Sequence, residues 1–205
     1  MKLYDSRLAP NPRRVRWFLA EKGVDDVEIV QVDLMTGAHK TKAYLDEVGI
    51  PNVPALILDD GTALTESIAI CRYLEALHPE PNLFGRDPRE TAVIEMWTRR
   101  AELMAAMPLM NAVRHSHPAL AVLETQSAEI ADRSRQSAVS ALALFERRLS
   151  ESPWIAADRV TMADGVLFTG LEFSRLARFK VPEEMPNLTR WLAAIRERPS
   201  ATAGV

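Results

Sequence analysis

The chain has 205 residues, 47% of them hydrophobic, with 25 basic and 28 acidic side chains and a formal net charge of -3, enough apolar content for one or two domains with a sizeable core. Residues 1–80 hold 9 basic and 13 acidic side chains (net -4) and the remainder 16 and 15 (net +1), so neither part reads as a nucleic-acid-binding or polybasic membrane surface. No run of about 18 apolar residues suggests a membrane span, and the opening MKLYDSRLAP lacks a signal-peptide core, so the expected compartment is cytoplasmic.

Lys2 to Asp5 read as a first strand. In the following SRLAPNPRRVRWFLAEKG, Asn11 is the expected N-cap and Pro12 the first helical residue; Val15, Phe18 and Leu19 mark the buried face and Gly23 the end. Glu28 to Leu34 form a second strand, completing a βαβ unit with parallel strands. Residues 37–47 are a weak polar helix or turn. Val53-Pro54 opens a short strand, Ala55 to Leu58. Asp59-Asp60-Gly61 turns the chain, because Asp-Gly tolerates positive φ, and Thr62 to Leu64 return. Thr65-Glu66-Ser67 then lead into a helix with Ile70, Leu74 and Leu77 on one face. Its first turn combines free N–H groups, hydroxyls and an acid, a terminus suited to a carboxylate ligand. Cys71, the single cysteine, lies within that helix and reads as a buried structural thiol. Any sulfur chemistry therefore uses a thiol brought by a ligand.

Pro79, Pro81 and Pro88 mark a linker over residues 79–88 between a first domain (1–78) and a second (89–205) in which only helices are expected. One helix runs from Arg89 to His115 with a kink at Pro108, and one from Thr125 to Leu149, with residues 116–124 as a turn. Val160-Thr161-Met162-Ala163-Asp164 is a capping box opening a buried helix. A last helix opens at Pro186 with Leu188, Trp191, Leu192 and Ile195 in register and ends at Pro199. Met104, Met107 and Met110 form a stripe that reads as core or dimer contact before substrate pocket. His115-Ser116-His117 is too little for a metal site, which needs three or four ligands, so no metal is expected.

The run VPALILDDGTALTESIAICRYLEALHP resembles the glutathione-binding half of glutathione transferases, and RVTMADGVLFTGL and MPNLTRWLAAIRERPS resemble the family's buried capping-box and final-helix motifs. The resemblance covers nearly the whole chain. It implies an α/β plus all-α fold: a thioredoxin-like N-terminal domain followed by a helical-bundle C-terminal domain, the latter forming the acceptor-substrate site and much of a homodimer interface. Arg114 and His115 lie where they can face that acceptor site. It further implies a cis bond between Val53 and Pro54, with the Val53 backbone pairing with the cysteinyl unit of glutathione. Glu66 and Ser67 hold the γ-glutamyl end, and His39 and Lys40 hold the glycine carboxylate. Gly165 stands where the family usually has a bulky apolar residue that staples the cap.

The resemblance makes glutathione the co-substrate, with a small hydrophobic electrophile as second substrate. The thiol has a pKa of about 8.5, and lowering it by about 2 units takes about 2.7 kcal/mol of differential stabilisation. The family supplies a Tyr or Ser hydroxyl, or a Cys, just after the first strand. Matching the Arg-Val-Arg of residues 14–16 to Ser-type members places Ala9 there. Three substitutes remain: the amide of Asn11, in an Ala-Pro-Asn segment resembling the Thr-Pro-Asn of some bacterial members; the N–H groups of the helix start, beside Arg13 and Arg14; and Ser6. Asn11 is the expected catalytic residue. A glutathione-dependent disulfide reductase and a non-catalytic glutathione-binding protein are the alternatives, Ala9 being the main support for the latter.

Overall fold

The structure is a computed structural model describing residues 1–203. The described chain divides into two compact units, one of Met1–Pro81 with Thr202 and Ala203, the other of Asn82–Ala201.

The first unit contains four strands, β1 (Lys2–Asp5), β2 (Glu28–Gln31), β3 (Ala55–Ile57) and β4 (Ala63–Thr65), and three helices, α1 (Pro10–Lys22), α2 (Lys42–Val48) and α3 (Ser67–Leu77). The sheet order is β2-β1-β3-β4, with β1 and β2 parallel and the other two pairs antiparallel. This is the expected thioredoxin-like arrangement. The three buried residues of β3 read as a continuous apolar run because both faces of the strand are covered. α1 and α3 pack together, with Val15 and Phe18 of the one and Ile70 and Leu74 of the other fully buried, while Val32, Tyr44 and Val48 form a second core with Ala55 and Ile57. The hairpin between β3 and β4 closes at Gly61, whose φ of 85° no side chain would tolerate cheaply.

Several local expectations shift. α1 begins at Pro10, not after Asn11: Ala9 is the N-cap, and the Arg13 N–H closes the first turn on the Ala9 carbonyl at 3.2 Å. Asn11 is thus the second helical residue and caps nothing. The second strand stops at Gln31, and the weak helix resolves into a 3-10 turn at Ala38–Lys40 followed by α2, capped by Thr41.

The second unit is helical: α4 (Pro88–Arg100), α5 (Met107–Arg114), α6 (Ala128–Glu151), α7 (Met162–Ser174) and α8 (Pro186–Arg196). Between α4 and α5 the chain forms a π-helical segment, Ala101–Ala106. Pro108 cannot donate to the carbonyl four residues earlier, and widening the helix ahead of it accommodates the lost bond. The segment lies close against α7: a Cβ added at Gly170 would stand 2.7 Å from that of Ala106. α7 is buried nearly all round, as its apolar sequence requires. Asp164 is wholly buried and meets four donors. Its Oδ2 accepts from the Thr161 N–H and hydroxyl at 2.9 Å each, and its Oδ1 from the Ile155 N–H at 3.1 Å and Trp191 Nε1 at 2.9 Å. The cap is therefore complete with Gly165 beside it. Leu83 and Phe84 are buried, and Arg159 grips Glu90 and Asn82, so the later part of the proline-rich stretch is built into this unit.

Candidate glutathione site

One end of the sheet gathers the chain segments that carry the residues the resemblance implied for glutathione. β1 pairs Tyr4 with Ala55, so Asp5 and Ser6 run on beside Pro54 and Val53; β3 pairs Ala55 with Thr65, so Glu66 and Ser67 follow at the same end. The parallel pairing of Asp5 with Gln31 brings the chain toward His39 out at that end too.

The Val53-Pro54 bond is cis, as the resemblance implied; Glu80-Pro81 is a second cis bond that the sequence did not announce. Among the described residues, nothing in the protein bonds to the N–H or C=O of Val53, so both are open to an extended peptide ligand. The preceding Asn52 carbonyl accepts from the Tyr44 hydroxyl at 2.5 Å. Burial, with Tyr4 and Glu47 nearby, pushes that phenol up to about 12, so it stays a donor across the physiological range. Sequence reasoning missed this brace because Tyr44 lies in a segment that reads as polar and weak.

Glu66 precedes α3 with φ 67° and ψ 113°, a backbone conformation that costs a non-glycine residue about 1–3 kcal/mol and that clusters at ligand sites. Its exposed carboxylate has no partner among the described residues. Ser67 is the first helical residue and only 5% exposed; its hydroxyl makes no cap bond and accepts from Arg14 Nη1 at 3.3 Å. Neither Glu66 nor Ser67 caps the helix with its side chain. The N–H groups of Ser67, Ile68 and Ala69 have no acceptor within the described residues.

The β1–α1 loop is held by a buried ion pair. Arg16 bonds Asp5 and donates to the carbonyls of Ser6 at 3.4 Å and Arg7 at 2.8 Å, while Gln31 bonds the other Asp5 oxygen. Ala9 occupies the N-cap with its N–H on the Ser6 carbonyl at 2.9 Å. Pro10 and Pro12 have no N–H and that of Arg13 is spent, so Asn11 supplies the first turn's one open main-chain donor. The Asn11 side chain adds its amide, and its Oδ1 is buried with no donor among the described residues, an unmet group of the kind that marks ligand positions.

His39 and Lys40 separate. His39 is buried, and desolvation, aided by Lys40, holds its pKa below the usual imidazole range; its Nδ1 has no hydrogen-bond partner among the described residues. Lys40 is exposed without an ion-pair partner among the described residues. At neutral pH the pair offers one charge. Cys71 is fully buried and its thiol is pushed up by burial, which leaves it out of any thiolate chemistry. Among the described residues no group of three or more His, Cys, Asp or Glu is placed to hold a metal, and no helix is long and apolar enough to cross a membrane.

A four-stranded thioredoxin-like unit with an open cis-proline edge is followed along the chain by an all-helical unit. Residues 1–76 match the family described as "Glutathione S-transferase, N-terminal domain" and residues 101–199 match "Glutathione S-transferase, C-terminal domain". The chain belongs to the glutathione S-transferase family. It is 37% identical over 203 residues to "Glutathione S-transferase 2" of Saccharomyces cerevisiae, spanning 98% of this chain and 87% of that one. It is 31% identical to "Glutathione S-transferase 3" of Zea mays, spanning 98% and 90%. Among solved structures, a glutathione S-transferase domain-containing protein of Marinobacter aquaeolei superposes with a TM-score of 0.93 at 38% identity, covering 98% of this chain and 100% of that one.

Proposed function

We propose that the protein is a glutathione transferase that activates the glutathione thiol for attack on a small hydrophobic electrophile. The open N–H and C=O of Val53 at the cis Val53-Pro54 bond, beside the uncapped and strained start of α3, carry this reading. Val53 pairs with the cysteinyl unit. Glu66 takes the γ-glutamyl ammonium, and Ser67 with the α3 N–H groups takes the γ-glutamyl carboxylate, since an open helix N-terminus favours negative charge. Lys40 takes the glycine carboxylate, with neutral His39 as a hydrogen-bonding neighbour. Asn11, through its side-chain amide and main-chain N–H, stabilises the thiolate in place of the hydroxyl that Ala9 lacks. The thiolate forms the new C–S bond as the electrophile's leaving group departs with its electron pair. The exposed Met96, Leu103, Met104 and Met107 support a homodimer. A cytoplasmic setting, without nucleic-acid or membrane partners, suits the charge distribution.

Calorimetric titration with glutathione tests the binding step, and turnover of a chlorodinitrobenzene tests the transfer. No heat at millimolar glutathione sinks the proposal. A second reading, a glutathione-dependent disulfide reductase, is favoured by Asn11 standing at the helix start without a catalytic hydroxyl. Faster turnover of a small mixed disulfide than of the chlorodinitrobenzene selects it. Binding with turnover of neither selects a non-catalytic binding protein.

A further inference from the structure

Ser67 occupies a core-facing position of α3, in line with Ile70, Cys71 and Leu74. A hydroxyl there needs a partner, and the structure gives it a cation: Arg14, at 2% exposure, donates from Nη1 to Ser67 Oγ. A full positive charge in the core is costly unless its hydrogens are taken up. Placing one against a serine at a helix start adds to the partial positive charge already at that helix end. Arg14 also acts on Cys71, one turn further along the same face, where its charge opposes the upward push of burial on the thiol.

The direction of this bond matters. A hydroxyl that accepts from a guanidinium on one lone pair still has its own proton to donate. Nothing among the described residues accepts the Ser67 proton. We infer that Arg14 is a positioning residue for the γ-glutamyl carboxylate: it holds Ser67 Oγ from the core side, so that the serine proton is presented to the ligand, and polarises that O–H. Arg14 touches the ligand only through Ser67. This rests on the glutathione-binding reading above and adds to it a residue from α1. Its consequence is selectivity for a ligand with a free carboxylate at the γ-glutamyl end over an otherwise identical thiol peptide without one.

The test is calorimetry with two ligands, glutathione and γ-aminobutyryl-cysteinylglycine, which keeps the thiol and the glycine end but has no carboxylate at the first residue. Arg14→Met is expected to weaken glutathione by about tenfold and the carboxylate-free peptide by less than about twofold. Adding Ser67→Ala to Arg14→Met is expected to cost less than about twofold more, because the two act in series. Equal weakening of both ligands, or full multiplication of the two effects in the double variant, overturns the inference, since either means that Arg14 supports the fold and not the carboxylate. Arg14→Leu also removes the charge and the donor, and gives the same two-ligand comparison if Arg14→Met does not fold. Wild-type protein that fails to bind glutathione overturns the functional reading itself. Wild-type binding that prefers glutathione to the carboxylate-free peptide, unchanged in the Arg14 variants, overturns this inference alone.

Discussion

Helix α3 opens with Ser67, Ile68 and Ala69, whose N–H groups are all unspent among the described residues, whereas α1 opens with Pro10-Asn11-Pro12 and keeps one. Both helices start at the same end of the sheet, and both are preceded by an N-cap residue that makes no side-chain cap bond. α3 has kept its donors and set a buried arginine behind them. α1 has given most of its donors to proline and depends on Asn11. A helix terminus is thus an anion site in proportion to the N–H groups left open, and two termini of similar outline differ in what they can stabilise. α1 buys rigidity instead: its entry loop is tied by the Asp5–Arg16 pair, where α3 tolerates a strained Glu66.

Breaking the tie at α1 gives the largest expected effect. Asp5→Ala leaves Arg16 buried without its carboxylate, and such losses cost about 3–5 kcal/mol. Urea denaturation should show it; a loss below about 1 kcal/mol would mean the loop does not depend on the pair.

Asn11→Ala addresses the donors themselves. A hydrogen bond to a charged group contributes about 1.5–3 kcal/mol, so the pKa of bound glutathione should rise by roughly one to two units while binding of S-methyl glutathione, which carries no thiolate, stays put. Because Ala9 is the cap, the melting temperature should barely move, in contrast to the loss a capping Asn11 would show. An unmoved pKa would leave the Asn11 main-chain N–H as the thiolate's donor.

His39 tests the remaining corner of the site through stability. Its folded pKa lies below the usual 6.5, so the unfolded chain binds more protons as pH falls past that value. The contribution is present above about pH 6.5 and is lost as pH falls toward the depressed folded value. His39→Gln should remove that part of the slope in denaturation midpoints between about pH 5 and 7. An identical slope would assign it elsewhere.

The smallest effect sharpens the comparison most directly. Pro12→Ala returns one N–H to the first turn of α1, and a charge at a helix N-terminus gains about 0.3–1 kcal/mol, so the bound thiol pKa should drop by a fraction of a unit. A rise would show that the proline was placing Asn11.

Much of this site was legible in the chain. The order of strands and helices, the Asp-Gly turn, the capping box and the Glu-Ser start of α3 follow from periodicity and from residues whose backbone preferences are local. The resemblance to glutathione transferases rested on those same short motifs, and the family comparisons agree with it. The sequence alone also showed that Ala9 cannot donate from its side chain, because an absent atom needs no structure to be noticed. Three things waited for the tertiary structure. Ala9, and not Asn11, caps α1, because two prolines and one asparagine allow either start and only the Arg13–Ala9 bond selects one. His39 is buried while its neighbour Lys40 is exposed, which depends on the packing of the 3-10 turn and not on adjacency. Arg14 meets Ser67 across 53 residues of chain. Local rules carry the elements because their energies involve near neighbours. Which buried charge meets which hydroxyl is decided by the packing of α1 on α3, and no short stretch of sequence contains both sides of that contact.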